Sequence, residues 1–316
     1  ISIISWLDTM EFPEDHYKDI EIKYIIQAKD YKWLFSLLSS SKKLRKILKD
    51  LSPDGIFLFS HSVLWLSLVS RYNTSYINVI QGFNQISKFR KLKRLLYRPI
   101  DILSSRVLNF MVITPTKALA EEASKYFFIE LNKIKIIPNG IELKREYTDL
   151  KETNRPSICM LGTLGRQKGQ HLALEGMFQL SKRFPDLLLN IIGDGELRDY
   201  LSDEIINLQL EKNVHLLGRV EDPYQVMKKA DIFWHLSITE GMPLSIIEAM
   251  AIGLPVVGFN VEGVRDVVSD SQNGYLLKYA DIDGLIEKTT LLLESHEKRK
   301  KMSRLSLELY NSKYTK

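Results

Sequence analysis

The chain has 316 residues, a net charge of +5 and a pI near 9.0, and hydrophobic residues make up 45% of it. This length is typical of two domains, and the composition is that of a globular protein rather than a disordered one. The mild basic bias does not indicate nucleic acid as a partner. No run of about 18 apolar residues occurs and no signal peptide is visible, so no transmembrane helix is predicted.

The single cysteine, Cys159, stands in an apolar run at 158–161. It cannot form a disulfide within the chain, which favours a reducing compartment, and its neighbours predict a small buried side chain. The sequence opens at Ile1 on a strand-like pattern, so we expect that a segment precedes it.

The first half, residues 1–142, alternates strand-like and helix-like segments, which favours a parallel α/β sheet. The predicted strands cover 1–6, 20–26, 56–59, 76–80, 110–114 and 135–137. The predicted helices cover 33–51, 63–71, a segment after 84, and 117–127. Residues 143–156 are polar and lack apolar periodicity, so they are interpreted as a linker.

The second half, residues 157–316, restarts the same alternation. Its predicted strands cover 157–161, 187–192, 213–217, 231–236 and 255–259. Its predicted helices cover 169–184, 197–208, 223–230, a helix that opens near Pro243 and ends before Gly253, 283–294 and 297–310. Two α/β halves of this kind place a ligand in the cleft between them, at the carboxyl ends of the strands.

Two carboxylates, Glu240 and Glu248, stand eight positions apart around the start of the helix that opens near Pro243. The amino end of a helix offers free N–H groups and the positive end of a dipole, which suit phosphate. Carboxylates on either side of it would accept hydrogen bonds from sugar hydroxyls. The stretch is interpreted as a nucleotide-sugar site; the alternative is an ordinary helix with a solvated glutamate pair.

Three glycine-containing loops follow strands of the second half. In 162–169, Arg166 and Lys168 stand between glycines and would neutralise a diphosphate, the alternative being a surface loop with solvated cations. The loop 193–196 is interpreted as a tight turn. In 218–221, the backbone would pair with the edge of a nucleobase.

The six histidines have no metal-ligand spacing, and no Walker or Gly-x-Ser-x-Gly loop occurs. His215 and His235 lie in apolar strands and are interpreted as core residues whose polar atoms are satisfied. His61 ends a predicted strand of the first half and is a candidate for lining the cleft on that placement alone; the alternative is a position away from the site.

Several of these motifs together resemble the family 4 glycosyltransferases, which are retaining enzymes. The motifs are Gly162…Arg166-x-Lys168-Gly169, Gly193-Asp194-Gly195, Asn213-Val214-His215-x2-Gly218, Ala230-Asp231, Glu240-Gly241-x6-Glu248-Ala249-Met250-Ala251-x-Gly253-x-Pro255-Val256-Val257 and Pro138-Asn139-Gly140-Ile141. The resemblance implies an α/β protein of the GT-B fold, with two Rossmann-like parallel-sheet domains facing a central cleft. Residues 1–142 would be the acceptor-side domain, 143–156 the linker, and 157–316 the nucleotide-sugar domain.

The resemblance also implies roles for individual residues. Arg166 and Lys168 would hold the donor diphosphate, Glu248 the ribose hydroxyls, and Glu240 the hydroxyls of the transferred sugar. The remaining donor-side positions are Gly162, Thr163, Val220, Gly241 and Met242, with the N–H groups of Leu244 and Ser245 capping the phosphates. The acceptor-side candidates are His61, Gln81 and Gly82. No metal or cofactor is expected, because cations and the helix dipole would stabilise the leaving diphosphate. Retention in this family is usually explained by front-face attack within a tight ion pair, so no enzymic nucleophile is named.

The sequence departs from the family pattern in three places. Thr163 stands where the family has an arginine, so Arg166 would substitute for it. Gln81-Gly82 ends a strand where the family often has His-Gly or His-Thr. The opening strand with its Gly-rich loop and the C-terminal crossover helix are not found, so we expect that the chain is truncated at both ends.

Residues 88–98 carry six cations, with apolar residues on one helical face. Such a segment suits an anionic membrane surface, and a second basic patch occurs at 42–49; the alternative is a solvated helix packed by its leucines.

The resulting prediction is a cytoplasmic enzyme, peripheral at the inner membrane face. It would transfer a sugar from a UDP-sugar or GDP-sugar to a glycan or polyprenyl-linked acceptor in capsule or other cell-surface polysaccharide synthesis. The alternatives are a GT-B nucleotide-sugar epimerase and an inactive binding fragment.

Overall fold

A computed structural model describes residues 2–5, 21–24, 44–58, 75–81, 110–127, 129–143 and 155–315. The chain divides into two compact units, one of residues 1–114 and 120–135, the other of residues 115–119 and 136–316. The predicted helices at 63–71 and after 84, the basic segment 88–98, His61 and Gly82 lie outside the described residues.

The first unit contains two small sheets. Its strands are β1 (Ser2–Ser5), β2 (Glu21–Tyr24), β3 (Gly55–Leu58), β4 (Ser75–Val79), β5 (Phe110–Thr114) and β6 (Ile134–Ile136). Strands β1 and β2 pair in parallel, and the other four form a sheet in the order β3-β4-β5-β6, with β3, β4 and β5 parallel. Residues 44–51 are helical (α1), and Lys117–Phe127 forms α2. The parallel pairing of β3, β4 and β5 agrees with the parallel sheet that the sequence predicts.

The second unit is built on one six-stranded sheet. Its strands are β7 (Ser157–Leu161), β8 (Leu188–Ile192), β9 (Val214–Gly218), β10 (Ile232–His235), β11 (Val256–Phe259) and β12 (Gly274–Leu277). The order is β12-β11-β10-β7-β8-β9, and every described pairing is parallel. The chain therefore winds in one direction from β7 to β9 and in the other from β10 to β12, which puts a topological switch between β7 and β10.

Helices connect the strands of this sheet. They are α3 (Gln170–Arg183), α4 (Arg198–Asn207), α5 (Pro223–Met227), α6 (Leu244–Ala251), α7 (Glu262–Arg265), α8 (Ile282–Glu294) and α9 (His296–Lys313). The caps of α5, α8 and α9 follow the rule that a short polar side chain accepts from a free N–H of the first turn. Asp222 accepts from the Tyr224 N–H at α5, Asp281 from the Gly284 N–H at α8, and Ser295 from the Lys298 N–H at α9.

Both faces of the six-stranded sheet are covered. Successive side chains of a strand point to opposite faces. In β7, Ile158 belongs to one apolar cluster and Cys159 to a second; in β10, Trp234 belongs to the first and Phe233 to the second. All four are fully buried. The uninterrupted apolar runs of these strands are explained by this burial on two sides.

Cys159 is buried as the sequence predicts, and burial raises the pKa of its thiol above the ordinary range. Desolvation disfavours the thiolate, so the side chain behaves as a small apolar group.

The structure corrects the sequence prediction in the segment 260–282. The short helix α7 and the strand β12 occur there, and neither was predicted. Each has only four residues, too few for a helical or strand-like period to be recognised.

Among the described residues, no helix has the length and apolarity needed to cross a membrane.

Candidate functional site

The loops after β7, β8 and β9 are joined by backbone hydrogen bonds. The Gly162 N–H donates to the Ile192 carbonyl at 3.0 Å, and the Gly193 N–H donates to the Gly218 carbonyl at 2.8 Å. Because neighbouring parallel strands end at the same edge of a sheet, the three glycine loops predicted from the sequence form one surface.

Gly193 is required where two of these loops cross. Its φ is +132°, and a Cβ at this position would lie 2.0 Å from the Gly162 carbonyl oxygen. No side chain fits at that distance, so the close approach of the two loops depends on glycine. The neighbouring Asp194 accepts a hydrogen bond from the Gly195 N–H at 2.9 Å, which agrees with the prediction of a tight turn.

The loop after β7 carries the two predicted cations on a 3₁₀ turn, Arg166–Lys168. Arg166 is exposed, whereas Lys168 is half-buried. Gln170, which is 2% exposed, donates through Nε2 to the Thr163 carbonyl at 3.0 Å and ties the loop to the first turn of α3. This contact fixes the path of the backbone while both cationic side chains stay at the surface.

Lys168 forms an ion pair with Glu240. The distance between Nζ and Oε1 is 2.6 Å, and the side chain of Glu240 is only 12% exposed. Burial by itself raises the pKa of Glu240, but attraction from His235 and Lys168 outweighs it and lowers the pKa to about 2. Glu240 is therefore ionised at neutral pH, and the structure brings together two residues that the sequence assigned to one site.

One part of the sequence prediction for His235 is wrong, because not all of its polar atoms are satisfied. His235 is buried as predicted, at 3% exposed, but its Nε2 lies 3.2 Å from Glu240 Oε1 and has no well-aligned hydrogen-bond partner among the described residues. Its Nδ1 lies 3.4 Å from the Ser245 Oγ on α6. His235 ends β10 next to the topological switch, and that position was the signal that its ring could reach the loop carrying Glu240.

Glu248 lies inside α6 as predicted, and Tyr224 on α5 donates a hydrogen bond from its hydroxyl to Oε1 at 3.3 Å. Burial raises the pKa of Glu248, and the hydrogen bond from Tyr224 partly offsets this. Sequence reasoning missed Tyr224, because nothing in the spacing of the two residues relates α5 to α6.

Helix α6 begins at Leu244, with Pro243 as its N-cap residue. The first N–H groups of a helix have no intrahelical acceptor, so those of Leu244 and Ser245 are available to a ligand. Leu244 is 47% exposed, whereas Met242 is 7% exposed and packs in the second apolar cluster. Because its side chain is buried, Met242 can contact a ligand at the predicted donor site only through its backbone.

The unpredicted helix α7 supports the loop that carries Glu240. The Gly263 N–H donates to the Glu240 carbonyl at 3.2 Å, and a Cβ at Gly263 would lie 2.5 Å from the carbonyl oxygens of Glu240 and Gly241. The backbone of the loop at Glu240 and Gly241 therefore packs directly against the backbone of α7, with no side chain between them.

The remaining predicted residues are placed as follows. Thr163 is exposed and Val220 is half-buried, each in its loop at the carboxyl edge of the sheet. Gln81 is exposed, two residues after β4. Among the described residues, no group of three or more His, Cys, Asp and Glu side chains is arranged to hold a metal ion.

These two parallel-sheet α/β units define the GT-B fold class. The family model for glycosyl transferases group 1 matches residues 145–306, more than half of the chain, and the model for glycosyltransferase family 4 matches residues 4–145. The chain therefore belongs to the glycosyl transferases group 1 family.

Curated relatives extend the comparison. An Escherichia coli UDP-Gal:alpha-D-GlcNAc-diphosphoundecaprenol alpha-1,3-galactosyltransferase is 30% identical over 66% of this chain and 58% of its own length. A Campylobacter jejuni N-acetylgalactosamine-N,N'-diacetylbacillosaminyl-diphospho-undecaprenol 4-alpha-N-acetylgalactosaminyltransferase is 26% identical over 82% and 72%, respectively. A Methanocaldococcus jannaschii glycosyltransferase is 28% identical over 76% and 64%. The chain thus spans less than two thirds of the E. coli and M. jannaschii relatives.

Solved structures show the same fold. Anabaena HepE in complex with UDP superposes with a TM-score of 0.80 at 20% identity, over 96% of this chain and 84% of that one. S. aureus TarM in complex with fondaparinux, alpha-GlcNAc-glycerol and UDP superposes with a TM-score of 0.72 at 22% identity, over 88% and 56%.

Proposed function

We propose that the protein transfers a sugar from a nucleotide-diphospho-sugar, with UDP as the nucleotide, to a glycan acceptor carried on a polyprenyl lipid. The observation that carries this proposal is the meeting of Lys168 and Glu240 at 2.6 Å, beside the amino end of α6. A cation, a carboxylate and free helical N–H groups in one place suit a ligand that combines a diphosphate with sugar hydroxyls.

Each part of the donor has a partner in this arrangement. Arg166, Lys168 and the first N–H groups of α6 would bind the diphosphate. Glu248, held by Tyr224, would accept from the ribose hydroxyls. Glu240 would accept from hydroxyls of the transferred sugar. A carboxylate at the ribose, cations at the diphosphate and a carboxylate at the sugar thus follow the order of these groups in the donor.

The chemistry follows from stabilising the leaving group. The bond between the anomeric carbon and the diphosphate oxygen breaks, and the departing oxygen keeps both electrons. The acceptor hydroxyl forms a bond to the same carbon on the same face, and its proton passes to the departing diphosphate, so the anomeric configuration is retained. Lys168, Arg166 and the dipole of α6 stabilise the negative charge that develops on the leaving group, in place of a metal ion.

The choice of donor and acceptor is supported by the relatives. The E. coli relative is named for UDP-Gal and a diphosphoundecaprenol-linked acceptor, and the C. jejuni relative for a diphospho-undecaprenol-linked acceptor. HepE and TarM were solved with UDP. With a lipid-linked acceptor, the basic segment 88–98 would hold the enzyme at the anionic inner face of the membrane, and the product would enter a cell-surface polysaccharide such as a capsule.

A donor panel tests the proposal. Full-length protein is mixed with UDP-sugars and GDP-sugars, with and without a diphospho-undecaprenol-linked glycan, and thermal shift and nucleotide release are measured. We expect a UDP-sugar to raise the melting temperature and UDP to be released only when acceptor is present. Failure of every nucleotide sugar to bind would rule out the donor site, and acceptor-independent UDP release would favour an epimerase.

Site variants test the residue roles. Lys168→Ala and Glu248→Ala should each weaken UDP-sugar binding by about tenfold, because each removes a charge-assisted hydrogen bond to the donor. Lys300→Ala removes an exposed cation of α9 and serves as the control, with unchanged binding expected. Unchanged affinity in both site variants would overturn the assignment.

A further inference from the structure

One carboxylate oxygen of Glu240, Oε1, lies close to the side chains of both Lys168 and His235. Lys168 Nζ lies 2.6 Å and His235 Nε2 lies 3.2 Å from the same Oε1. Under the proposed function, Lys168 is needed by the donor diphosphate. The carboxylate of Glu240 and the diphosphate therefore compete for one ammonium group.

The two neighbours differ in freedom of movement. The side chain of Lys168 is 34% exposed and ends a flexible stem, so its ammonium group can move to a phosphate. His235 is 3% exposed and sits at the end of β10, between the neighbouring strands β7 and β11, so its ring stays in place. Of the two groups, only the imidazole can remain beside Glu240 when the donor is bound.

The neighbour of the second ring nitrogen of His235 suits this task. The Ser245 Oγ lies 3.4 Å from Nδ1, and a hydroxyl that donates to Nδ1 leaves the proton of a neutral imidazole on Nε2, facing Glu240. That Nε2 has no well-aligned hydrogen-bond partner among the described residues while Lys168 occupies Oε1. A buried polar atom left without such a bond is unusual, and a second arrangement in which it is satisfied explains it.

We propose that His235 is a positioning residue that becomes the main partner of Glu240 when a donor diphosphate draws Lys168 away. The inference rests on the proposed function, because it needs a diphosphate at Lys168. Without His235, the departure of Lys168 would leave a buried carboxylate unpaired, which is strongly unfavourable. His235 thus lowers the free-energy cost of donor binding without touching the donor, and it keeps the Glu240 carboxylate oriented for the sugar hydroxyls.

A double-mutant cycle on UDP affinity tests this role. Calorimetry on the full-length protein compares His235→Leu, Glu240→Gln and the double variant with the unaltered chain. We expect His235→Leu to raise the Kd for UDP by about tenfold when Glu240 is present, and by less than about twofold when Glu240 is replaced by glutamine, because a neutral amide needs no replacement partner. Glu240→Gln alone should tighten UDP binding, since Lys168 is then no longer held by a carboxylate.

Two conservative variants separate positioning from packing. His235→Gln keeps an amide N–H that reaches Glu240 and should bind UDP within about threefold of the unaltered protein, whereas His235→Asn reaches only toward Ser245 and should behave like His235→Leu. His235→Asn also replaces His235→Leu in the cycle if the leucine variant does not fold, and melting temperatures are recorded for every variant.

The outcomes are distinct. If the His235 substitution costs the same UDP affinity with Glu240 intact and in the Glu240→Gln variant, or costs none in either, the positioning role is overturned and the proposed function still stands. If the unaltered protein binds neither UDP nor any nucleotide sugar, the proposed function fails and the inference fails with it.

Discussion

At the scale of single residues, Glu240 shows how a buried carboxylate is kept ionised. Its side chain is 12% exposed, which alone would favour the neutral acid, yet Lys168 and His235 lower its pKa to about 2. Lys168 and His235 thus preserve the negative charge of the Glu240 carboxylate, and the proposed contact with sugar hydroxyls requires that charge. The same arrangement makes the stability of the second unit depend on pH.

We predict that Glu240 contributes stability that is lost in acid. Its pKa is lower in the folded protein than in the unfolded chain, so the unfolded chain binds more protons and stability falls as pH falls. The free energy of unfolding of the unaltered protein, relative to Glu240→Gln, should drop by about 3 kcal/mol between pH 4.5 and about pH 2, the two limits of the pKa change.

Urea unfolding of both proteins at a series of pH values measures this difference, since the other carboxylates contribute equally to each and cancel. A difference that does not change on acidification would show that Lys168 and His235 do not hold Glu240 in its charged form.

At the scale of elements, the four-residue helix α7 acts as a support for the loop before α6. Gly263 contacts the carbonyl oxygens of Glu240 and Gly241 so closely that a methyl group has no room, since its Cβ would lie 2.5 Å from both. The position of Glu240 is thus set by an element that contributes no predicted site side chain of its own.

Gly263→Ala should therefore displace Glu240. We expect turnover to fall by at least about tenfold, because small displacements of positioning groups are amplified in the rate, together with a loss of about 1–3 kcal/mol in stability from overpacking. The matched control is Gly176→Ala on α3, where a Cβ would lie 3.1 Å from the flexible end of Leu285. It should alter stability and leave turnover unchanged. Equal turnover in the two variants would contradict the supporting role of α7.

Much of the architecture was predictable from the sequence at this scale. The bounds of β5, β7 and α2 coincide with those predicted, because β5 and β7 are short apolar runs next to polar residues or proline, and α2 has apolar residues at helical spacing. The positions of Glu240 before α6 and of Glu248 within it were also correct. The helix at 262–265 and the strand at 274–277 were not predicted, since four residues carry too little period to reveal a helix or a strand.

The contacts within the site were beyond reach of sequence spacing. Lys168 and Glu240 are 72 residues apart in the chain, and Tyr224 and Glu248 are 24 apart. Residue type indicated that Lys168 and Glu240 belong to one site, but their direct pairing depends on the strand order of the sheet. His235 was assigned to the core because its neighbours in β10 are apolar, and burial in an apolar strand does not reveal what lies beyond the end of the strand.

At the scale of the whole molecule, the described donor-side residues all belong to the second unit. They come from loops after β7, β9 and β10 and from α6, at one edge of the six-stranded sheet. The apolar clusters on the two faces of this sheet consist of residues of the second unit. Binding of a nucleotide diphosphate should therefore order one edge of that unit rather than the whole chain.

Hydrogen exchange measures this directly. On addition of UDP, amide protection should rise in residues 162–169, 218–224 and 240–248, and stay unchanged in α8 and in residues 120–127 of α2, which belong to the first unit. The segments 162–169 and 240–248 should respond together, because Lys168 and Glu240 rearrange in the same step. A rise spread evenly over both units would place the nucleotide elsewhere.

The burial of Cys159 has a practical consequence for observing that rearrangement. The chain has one thiol, it is fully buried, and its raised pKa leaves almost no thiolate to react with a maleimide. A cysteine introduced at Ile238, which is 38% exposed and two residues before Glu240, would be the reactive position of the chain. A fluorophore attached there would report the arrival of donor in real time, without removal of the native cysteine.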